Sequence, residues 1–373
     1  MDALSDERPD VCLVTSGHVA STPRLVKNAD ALCAAGLRVH VVALAGYPPN
    51  ERLDQSILSR AAWSYHGIGP DRGWERIWGR ALQGGLRLGA SVRDPSTIAW
   101  AANAHHARSK TLARAATAAK ARFYLGHCLA ALPVVARAAD RVGARFGFDL
   151  EDFHDAETTD ALSDPVERKL RRILQWRLLP RCRPLFCSSP LIAQAYREAY
   201  GVEAVPILNV FPRWQAPERT HAYQAPTSDH PAVIYWFSQT VGPGRGLEQV
   251  VRVLASMRVP VCLELRGYAS ETYKKDLQAL ATREGLSRKI VFLDPGEPDE
   301  MARLASHASL GLSVEDSLPL NRDICLTNKV FVYLMAGIAQ VLTPTRAQRE
   351  IAASLGEAAM LVALENTSHA ALT

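Results

Sequence analysis

Gly242-Pro-Gly-Arg245-Gly246 follows an apolar run from Val233 to Phe237. After it, Leu247, Val250, Val251 and Leu254 recur at helical spacing. A strand, a glycine-rich turn and a helix start gather backbone N–H groups and a helix N-terminus at one spot, and such a spot attracts phosphate. Arg245 adds a fixed charge whose planar donor fork suits phosphate oxygens. The glycines match neither G-x-G-x-x-G nor G-x-x-x-x-G-K-[ST], so an ordinary strand-to-helix turn with a solvated Arg245 stays open. Lys329 opens a later helix, where a cation is unfavourable unless an anion is near. Asn328 reads as the cap of that helix. Glu315 and Asp316 follow a strand near the same loop and suit sugar hydroxyls or plain solvation.

The first half holds a second set. His127 ends a short strand at a sheet's carboxyl edge, where a general acid–base or positioning role competes with a core or capping one. Glu151, Asp152, His154 and Glu157 follow the strand that ends at Leu150. They read as acids and a base that orient ligand hydroxyls, or as acids complementing a helix dipole. His18 lies beside Gly17 in the first turn. Asp149-Leu-Glu151 also resembles a metal-binding D-x-D pair. Two α/β halves with separate phosphate turns argue against that, and no metal is expected.

The elements that must position these groups alternate. Strands are expected at 11–15, 37–44, 61–68, 123–125, 146–150, 184–187 and 204–208, with helices at 24–35, 98–119, 129–139, 166–179 and 190–200 and a loop over 46–60. In the second half strands are expected at 233–237, 261–265, 290–293, 309–313, 339–343 and 359–362, with helices near 245–257, 271–284, 298–307, 328–336 and 346–354. The pattern predicts α/β architecture: two Rossmann-like doubly wound parallel sheets facing across a cleft, with ligands at the carboxyl ends of the strands. Residues 1–212 form the acceptor-side domain, 213–230 a Pro- and charge-rich linker, and 231–373 the nucleotide-binding domain.

Bulk properties fit this reading. A chain of 373 residues is long for one core. With 48% hydrophobic and 22% charged residues it is globular, not disordered. A net charge of +5 is too small to argue nucleic acid and suits an anionic small ligand or an acidic membrane surface. Seven scattered cysteines without C-x-x-C read as reduced core residues in a cytoplasmic protein. The polar, acidic start reads as no signal peptide, and no apolar stretch reaches membrane-span length. Trp74 to Leu88 and Val166 to Arg183 are basic and amphipathic. They read as surface helices that bury one face; the competing reading is docking to an anionic membrane that carries a lipid-linked acceptor.

Several stretches resemble the retaining, family-4-like glycosyltransferases of GT-B fold. Asn328-Lys329-Val-Phe331-Val-Tyr333-Leu-Met-Ala336-Gly337 resembles their N-K-x-F-x-Y-x-x-A-G donor loop and helix. Thr15 to Ala35, with Pro23-Arg24, resembles their first strand–helix unit. Arg245-Gly246 resembles their basic-residue–Gly phosphate turn, and Asn209-Val-Phe-Pro212 their end-of-domain motif. The resemblance covers nearly the whole chain. It implies a nucleotide diphosphate sugar as co-substrate, no cofactor and no metal, a glycan or lipid-linked acceptor, peripheral membrane contact at the inner face, and no nucleic-acid partner. It implies that Gly17, Gln239, Thr240, Arg245, Gly246, Glu315, Asp323, Asn328 and Lys329 bind the donor, that His127 meets the donor sugar, and that Glu151, Asp152, His18 and His154 serve the acceptor side.

The chain also departs from that pattern. Val332 stands where the family's second glutamate holds the ribose, and only Asp323 is near the place of the first. Ser238-Gln239 replaces a Gly-Arg pair, and Ala339-Gln340 replaces the proline after the helix glycine. The chain stops at Thr373, soon after its last predicted strand, which suggests a missing crossover helix and looser domain closure. Two other functions fit less well. A degenerate GT-B module would bind a nucleotide without transfer. An NAD(P)-dependent oxidoreductase would need G-x-G-x-x-G after Thr15 and an acid ending the second strand, and has neither. Base, sugar, acceptor and oligomeric state depend on pocket shape.

Overall fold

The computed structural model describes residues 8–71, 73–159, 162, 164–218, 225–286 and 290–364. The chain divides into two compact units, Met1–Leu208 and Asn209–Thr373. In the first unit the order is β1 (Val11–Thr15), α1 (Pro23–Ala34), β2 (Val39–Leu44), α2 (Pro48–Arg60), β3 (Ser64–Ile68), α3 (Gly73–Val92), α4 (Ile98–His105), α5 (Ser109–Ala118), β4 (Phe123–His127), α6 (Leu132–Val142), β5 (Arg145–Leu150), α7 (Pro165–Leu178), β6 (Leu185–Cys187), α8 (Pro190–Tyr200) and β7 (Val205–Pro206). The strands pair in parallel in the order β3-β2-β1-β4-β5-β6-β7.

Cys12, Leu13 and Val14 are wholly buried, which is why β1 reads as a continuous apolar run and not as an alternation. Leu13, Leu25, Val41 and Leu125 join the core on one face of this sheet. The chain builds the sheet outward from β1 to β3, then returns and builds from β4 to β7. The carboxyl ends of β1 and β4 are therefore its topological switch point, the expected ligand position in such a sheet.

The second unit holds β8 (Ala232–Val241), α9 (Leu247–Ala255), β9 (Val261–Ala269), α10 (Glu271–Arg283), β10 (Val291–Leu293), α11 (Met301–Ala305), β11 (Leu310–Ser313), α12 (Leu320–Ile324), α13 (Asn328–Ala336), β12 (Ala339–Leu342), α14 (Arg346–Leu355) and β13 (Ala359–Leu361). Its parallel sheet runs β10-β9-β8-β11-β12-β13. Trp236, Leu247, Val251, Leu263 and Leu265 form its core. Here the switch point lies between the carboxyl ends of β8 and β11.

Several expectations are corrected. The loop expected over 46–60 is largely helix α2. Pro48 and Pro49 occupy its first turn, where a missing N–H costs nothing, and Asp54 and Ile57 anchor it by burial. The single helix expected over 98–119 breaks after His105. His106 is extended, and the flanking His105 and Arg108 are drawn to Glu167 and Asp71 at 2.7 and 3.2 Å. The helix expected over 298–307 is a 3-10 turn, Pro298–Glu300, followed by the short α11. Helix α12 is not evident in the sequence.

Strand β8 runs past Phe237 through a bulge, so Gln239 and Thr240 lie on a strand end and not in the glycine turn. Gly267 makes this bulge feasible: at φ +143° a Cβ there would lie 2.1 Å from the Ser238 carbonyl oxygen. The start of the expected linker carries a 3-10 turn, Arg213–Gln215, in which Gln215 is buried and donates to Asp299 Oδ1 at 2.7 Å. Residues 219–224 of that stretch and the chain end after Leu364 lie outside the described residues. Among the described residues no helix is long and apolar enough to cross a membrane.

Candidate functional site

In the second unit, Gly246 is the N-cap of α9, in the left-handed region at φ +71°. A Cβ there would stand 2.6 Å from Val314 Cγ1, so glycine is required both by the backbone and by the close approach of β11's exit. No side chain caps α9, which leaves its first N–H groups without side-chain acceptors. Arg245 is half-buried beside them and makes no side-chain hydrogen bond or ion pair among the described residues. A pocket of about 530 Å³ opens at this spot, lined by Gly244, Gly246, Gln249, Arg252, Glu315 and Ser317 among others. Gln249 Oε1 is buried there with no hydrogen-bond partner. The turn offers backbone N–H donors to an anionic ligand, with the Arg245 guanidinium beside them, and Gln249 Oε1, an acceptor, suits a ligand hydroxyl.

The other expected donor residues divide. Lys329 is buried on α13, 5.3 Å from the Trp236 ring, and its ammonium meets Glu315 Oε1 at 2.7 Å, each side chain being 9% exposed. Its charge is matched within the protein, and Glu315 is engaged by the same contact. The Glu315 backbone is clamped as well, its N–H and carbonyl both bonded to Thr343 Oγ1 at 2.8 and 2.6 Å. Asp323 accepts from the Arg346 backbone N–H at 2.9 Å and from its guanidinium at 2.6 Å. Both its oxygens serve the start of α14, so it does not stand in for a ribose ligand in this arrangement. Asn328 is not the cap of α13: Thr327 holds that position, and Asn328 Oδ1 accepts from Asn209 Nδ2 at 2.5 Å. Val332 packs with Tyr235, Ala305, Ala308, Tyr333 and Ala336. Gln239 and Thr240 are exposed on the extended β8.

In the first unit, the switch point gathers His127, Glu151, Asp149, Arg24 and Asn28. His127 is fully buried. Its Nδ1 lies 2.8 Å from Glu151 Oε1, and Asn28 Nδ2 lies 3.4 Å from its Nε2. The arrangement fits an Nδ1–H that donates to Glu151 while Nε2 accepts from Asn28. Glu151, one-fifth exposed, is the member of the pair that reaches solvent. Asp149 is wholly buried, and Arg24 Nε donates to it at 2.8 Å. The Arg24 fork also reaches the Ile207 and Cys187 carbonyls at 2.7 and 3.3 Å. With Asp149 held by Arg24 and Glu151 by His127, the Asp149-Leu-Glu151 pair does not present two free carboxylates to a metal. Among the described residues no group of three His, Cys, Asp or Glu is placed to hold one.

Gly17 donates its N–H to Thr15 Oγ1 at 3.1 Å. His18 Nδ1 lies 2.9 Å from Asp54 Oδ2, so the unexpected helix α2 fixes this ring. His154 is separated from the His127 cluster: it is buried and pairs with Glu157 at 2.5 Å, and Arg171 reaches the same carboxylate at 2.6 Å. Burial would raise the Glu157 carboxyl, but His154 and Arg171 outweigh it and hold it at about 2. This places His154 and Glu157 in a structural ion network with Glu167 and Arg87, not at the sheet's ligand edge. The Asp152 carbonyl accepts from Tyr196 at 3.1 Å.

Cys128 was not singled out by its sequence setting. It follows His127 with φ +63° and ψ 140°, a backbone region that non-glycine residues rarely occupy and that concentrates at functional sites. Its side chain lies 3.6 Å from Thr15 Oγ1. Burial pushes its thiol up to about 12, which disfavours the thiolate. Arg24 was legible only as part of a Pro-Arg pair, because its partner Asp149 lies 125 residues away.

The chain matches no protein-family profile and no curated protein sequence. Solved structures match its fold over nearly its whole length. Anabaena HepE, in complex with UDP and glucose, is 16% identical, with a TM-score of 0.60 over 91% of this chain and 82% of that one. Sucrose-phosphate synthase from Thermosynechococcus elongatus is 10% identical, with a TM-score of 0.63 over 96% and 86%. The UDP-GlcNAc 2-epimerase of Neisseria meningitidis, bound to UDP-GlcNAc, is 12% identical, with a TM-score of 0.51 over 95% and 88%. Two doubly wound parallel α/β units on one chain, matched in this way, give the GT-B fold.

Proposed function

We propose that this protein is a glycosyltransferase that moves a sugar from a nucleotide diphosphate sugar to a hydroxyl of a glycan or lipid-linked acceptor. It works in the cytoplasm, at the inner face of a membrane, with retention of configuration and without a metal. The observation that carries the reading is the uncapped N-terminus of α9 at the switch point of the second sheet, beside Arg245, which has no side-chain partner among the described residues. A diphosphate needs its charge neutralised as the glycosidic bond breaks, and preorganised N–H donors with a guanidinium supply that. Lys329 contributes a further donor: Glu315 uses one of three ammonium protons. Front-face displacement then needs no protein nucleophile, and a leaving phosphate oxygen takes the acceptor proton. On the acceptor side, Glu151, oriented by His127, and Asp152 position the attacking hydroxyl.

One observation favours a second reading, a module that binds the donor without transfer. Val332 sits in the core of the second unit and offers no carboxylate to a ribose.

Calorimetric titration with UDP, GDP and ADP tests the first step, starting with UDP because HepE was solved with it. Arg245→Ala is expected to weaken binding of the preferred nucleotide by about tenfold, the loss of one charge-assisted contact. Equal binding by Arg245→Ala and the native protein would remove α9 as the phosphate site. Release of sugar from the matching donor then separates an enzyme from a binding module.

A further inference from the structure

The helical layer of the first unit holds an opening that the proposed transfer does not use. A pocket of about 490 Å³ lies among α4, α5, α6 and the end of α7, a size suited to a small molecule. None of its lining residues belongs to the cluster around His127 or to the turn at Arg245. One part of the lining is apolar: Ala102, Ala113, Pro133, Ala136 and Leu178 are all buried. The other part is cationic. Lys110, Arg137, Arg141 and Arg181 are exposed there, and Asp140 is the one acid in the lining. Arg181 donates to Asp140 at 2.6 Å, which leaves three cations for which the pocket holds no counter-charge. Lys110, Arg137 and Arg141 make no side-chain hydrogen bond or ion pair among the described residues.

We propose that this pocket binds a small organic anion, a carboxylate, sulfonate or phosphate monoester, with its apolar body against the buried wall and its acidic group at the cations. Folding by itself gives these cations poor positions. Lys110 is the second residue of α5, where a positive charge opposes the helix dipole. Arg137 and Arg141 stand four residues apart on α6 and both line the pocket, and like charges at that spacing repel. Arg141 has one local gain, because it lies in the last turn of α6 and complements that end; Arg137 lies a turn earlier. A bound anion relieves the repulsion and the dipole conflict together. The start of α5 adds donors: no side chain caps it, and uncapped N–H groups favour negative charge. Ser109, its first residue, lines the pocket at 5% exposure, and its hydroxyl has no hydrogen-bond partner among the described residues. Buried hydroxyls are ordinarily bonded, and a bound acidic group supplies this one with an acceptor. The alanines and Leu178 decide against a bare inorganic ion, which would leave the apolar wall facing water. The site stands apart from the donor assignment and does not rest on it.

The test is fluorescence titration of the full chain with two dyes of one ring body, anilinonaphthalene sulfonate and the neutral phenylnaphthylamine. The native protein is expected to bind the sulfonate at least about tenfold more tightly than the neutral dye, the gain of a charge-assisted contact. Arg137→Gln/Arg141→Gln should bring the two dyes level. Ala99→Phe, at an exposed lining position on α4, should weaken both by narrowing the pocket. All three substituted side chains are exposed, and thermal melts that match the native one exclude misfolding as the cause. Equal binding of the two dyes by the native protein overturns the proposal, as does a preference for the sulfonate that survives in the arginine variant. Displacement of the sulfonate by inorganic phosphate at equal concentration assigns the cations to a bare ion and overturns it too. Trp74 and Trp78 of α3 are exposed and offer the dyes an apolar surface elsewhere; loss of sulfonate binding in Trp74→Ser/Trp78→Ser places the dye there and overturns the assignment. Nucleotide binding is read separately by calorimetry, so failure of the donor assignment and failure of this one are distinguishable.

Discussion

At the scale of single residues, the matched charges of the interior can be tested directly. Arg24 and Asp149 are matched: a buried pair whose guanidinium also serves two backbone carbonyls. Removing one partner strands the other charge in a dry interior. Arg24→Met is therefore expected to destabilise the first unit by about 3–5 kcal/mol. Arg24→Met/Asp149→Asn should recover part of that, and urea unfolding reads both. Glu157 gives a pH dependence. Its carboxyl lies at about 2 in the fold against an ordinary 4.5. A depressed carboxyl contributes stability that is complete above about 4.5 and is lost as pH falls towards about 2. Melting temperatures of the native protein should drop across that window more steeply than those of Glu157→Gln. Equal slopes would mean that the His154–Glu157–Arg171 network contributes nothing to folding.

At the scale of elements, the entry to α9 is the part of the fold that the proposed function depends on. Gly246 combines a left-handed backbone with a close approach to Val314. Gly246→Ala is expected to cost roughly 1–3 kcal/mol of stability and to weaken nucleotide binding by displacing the first turn of α9. Unfolding and calorimetry on the same variant separate the two effects. Helices α3 and α7 show why amphipathicity alone is not enough. Both carry an apolar stripe between basic residues. Helix α7 turns Leu170, Leu174 and Leu178 inward, as a surface helix should, whereas α3 turns its stripe out.

At the scale of the whole molecule, each unit has its own sheet and its own core, and the turn and cation proposed to hold the diphosphate lie on the second. A fragment that begins at Asn209 is therefore expected to fold by itself and to bind the same nucleotide as the full chain. A cooperative melt and calorimetry of that fragment check it. Loss of binding in a folded fragment would show that donor recognition needs residues of the first unit.

The architecture was legible in the sequence, and so was the turn proposed to hold phosphate. Strand-length apolar runs, helical spacing and the glycines of 242–246 are local signals, and local signals decide whether a segment is strand, turn or helix. The differences between expectation and structure are local as well: Pro48-Pro49 opens a helix in place of a loop, and Ser238–Val241 extends β8 through a bulge. Which charged groups are engaged follows from packing in three dimensions. Lys329 with Glu315, Asp323 with Arg346 and Arg24 with Asp149 are pairs made by packing across 14, 23 and 125 residues, and no spacing rule reaches that far. Packing also sets the direction of α3. A periodic stripe says that a helix has two faces; which of them meets the protein depends on what the neighbouring helices present to it.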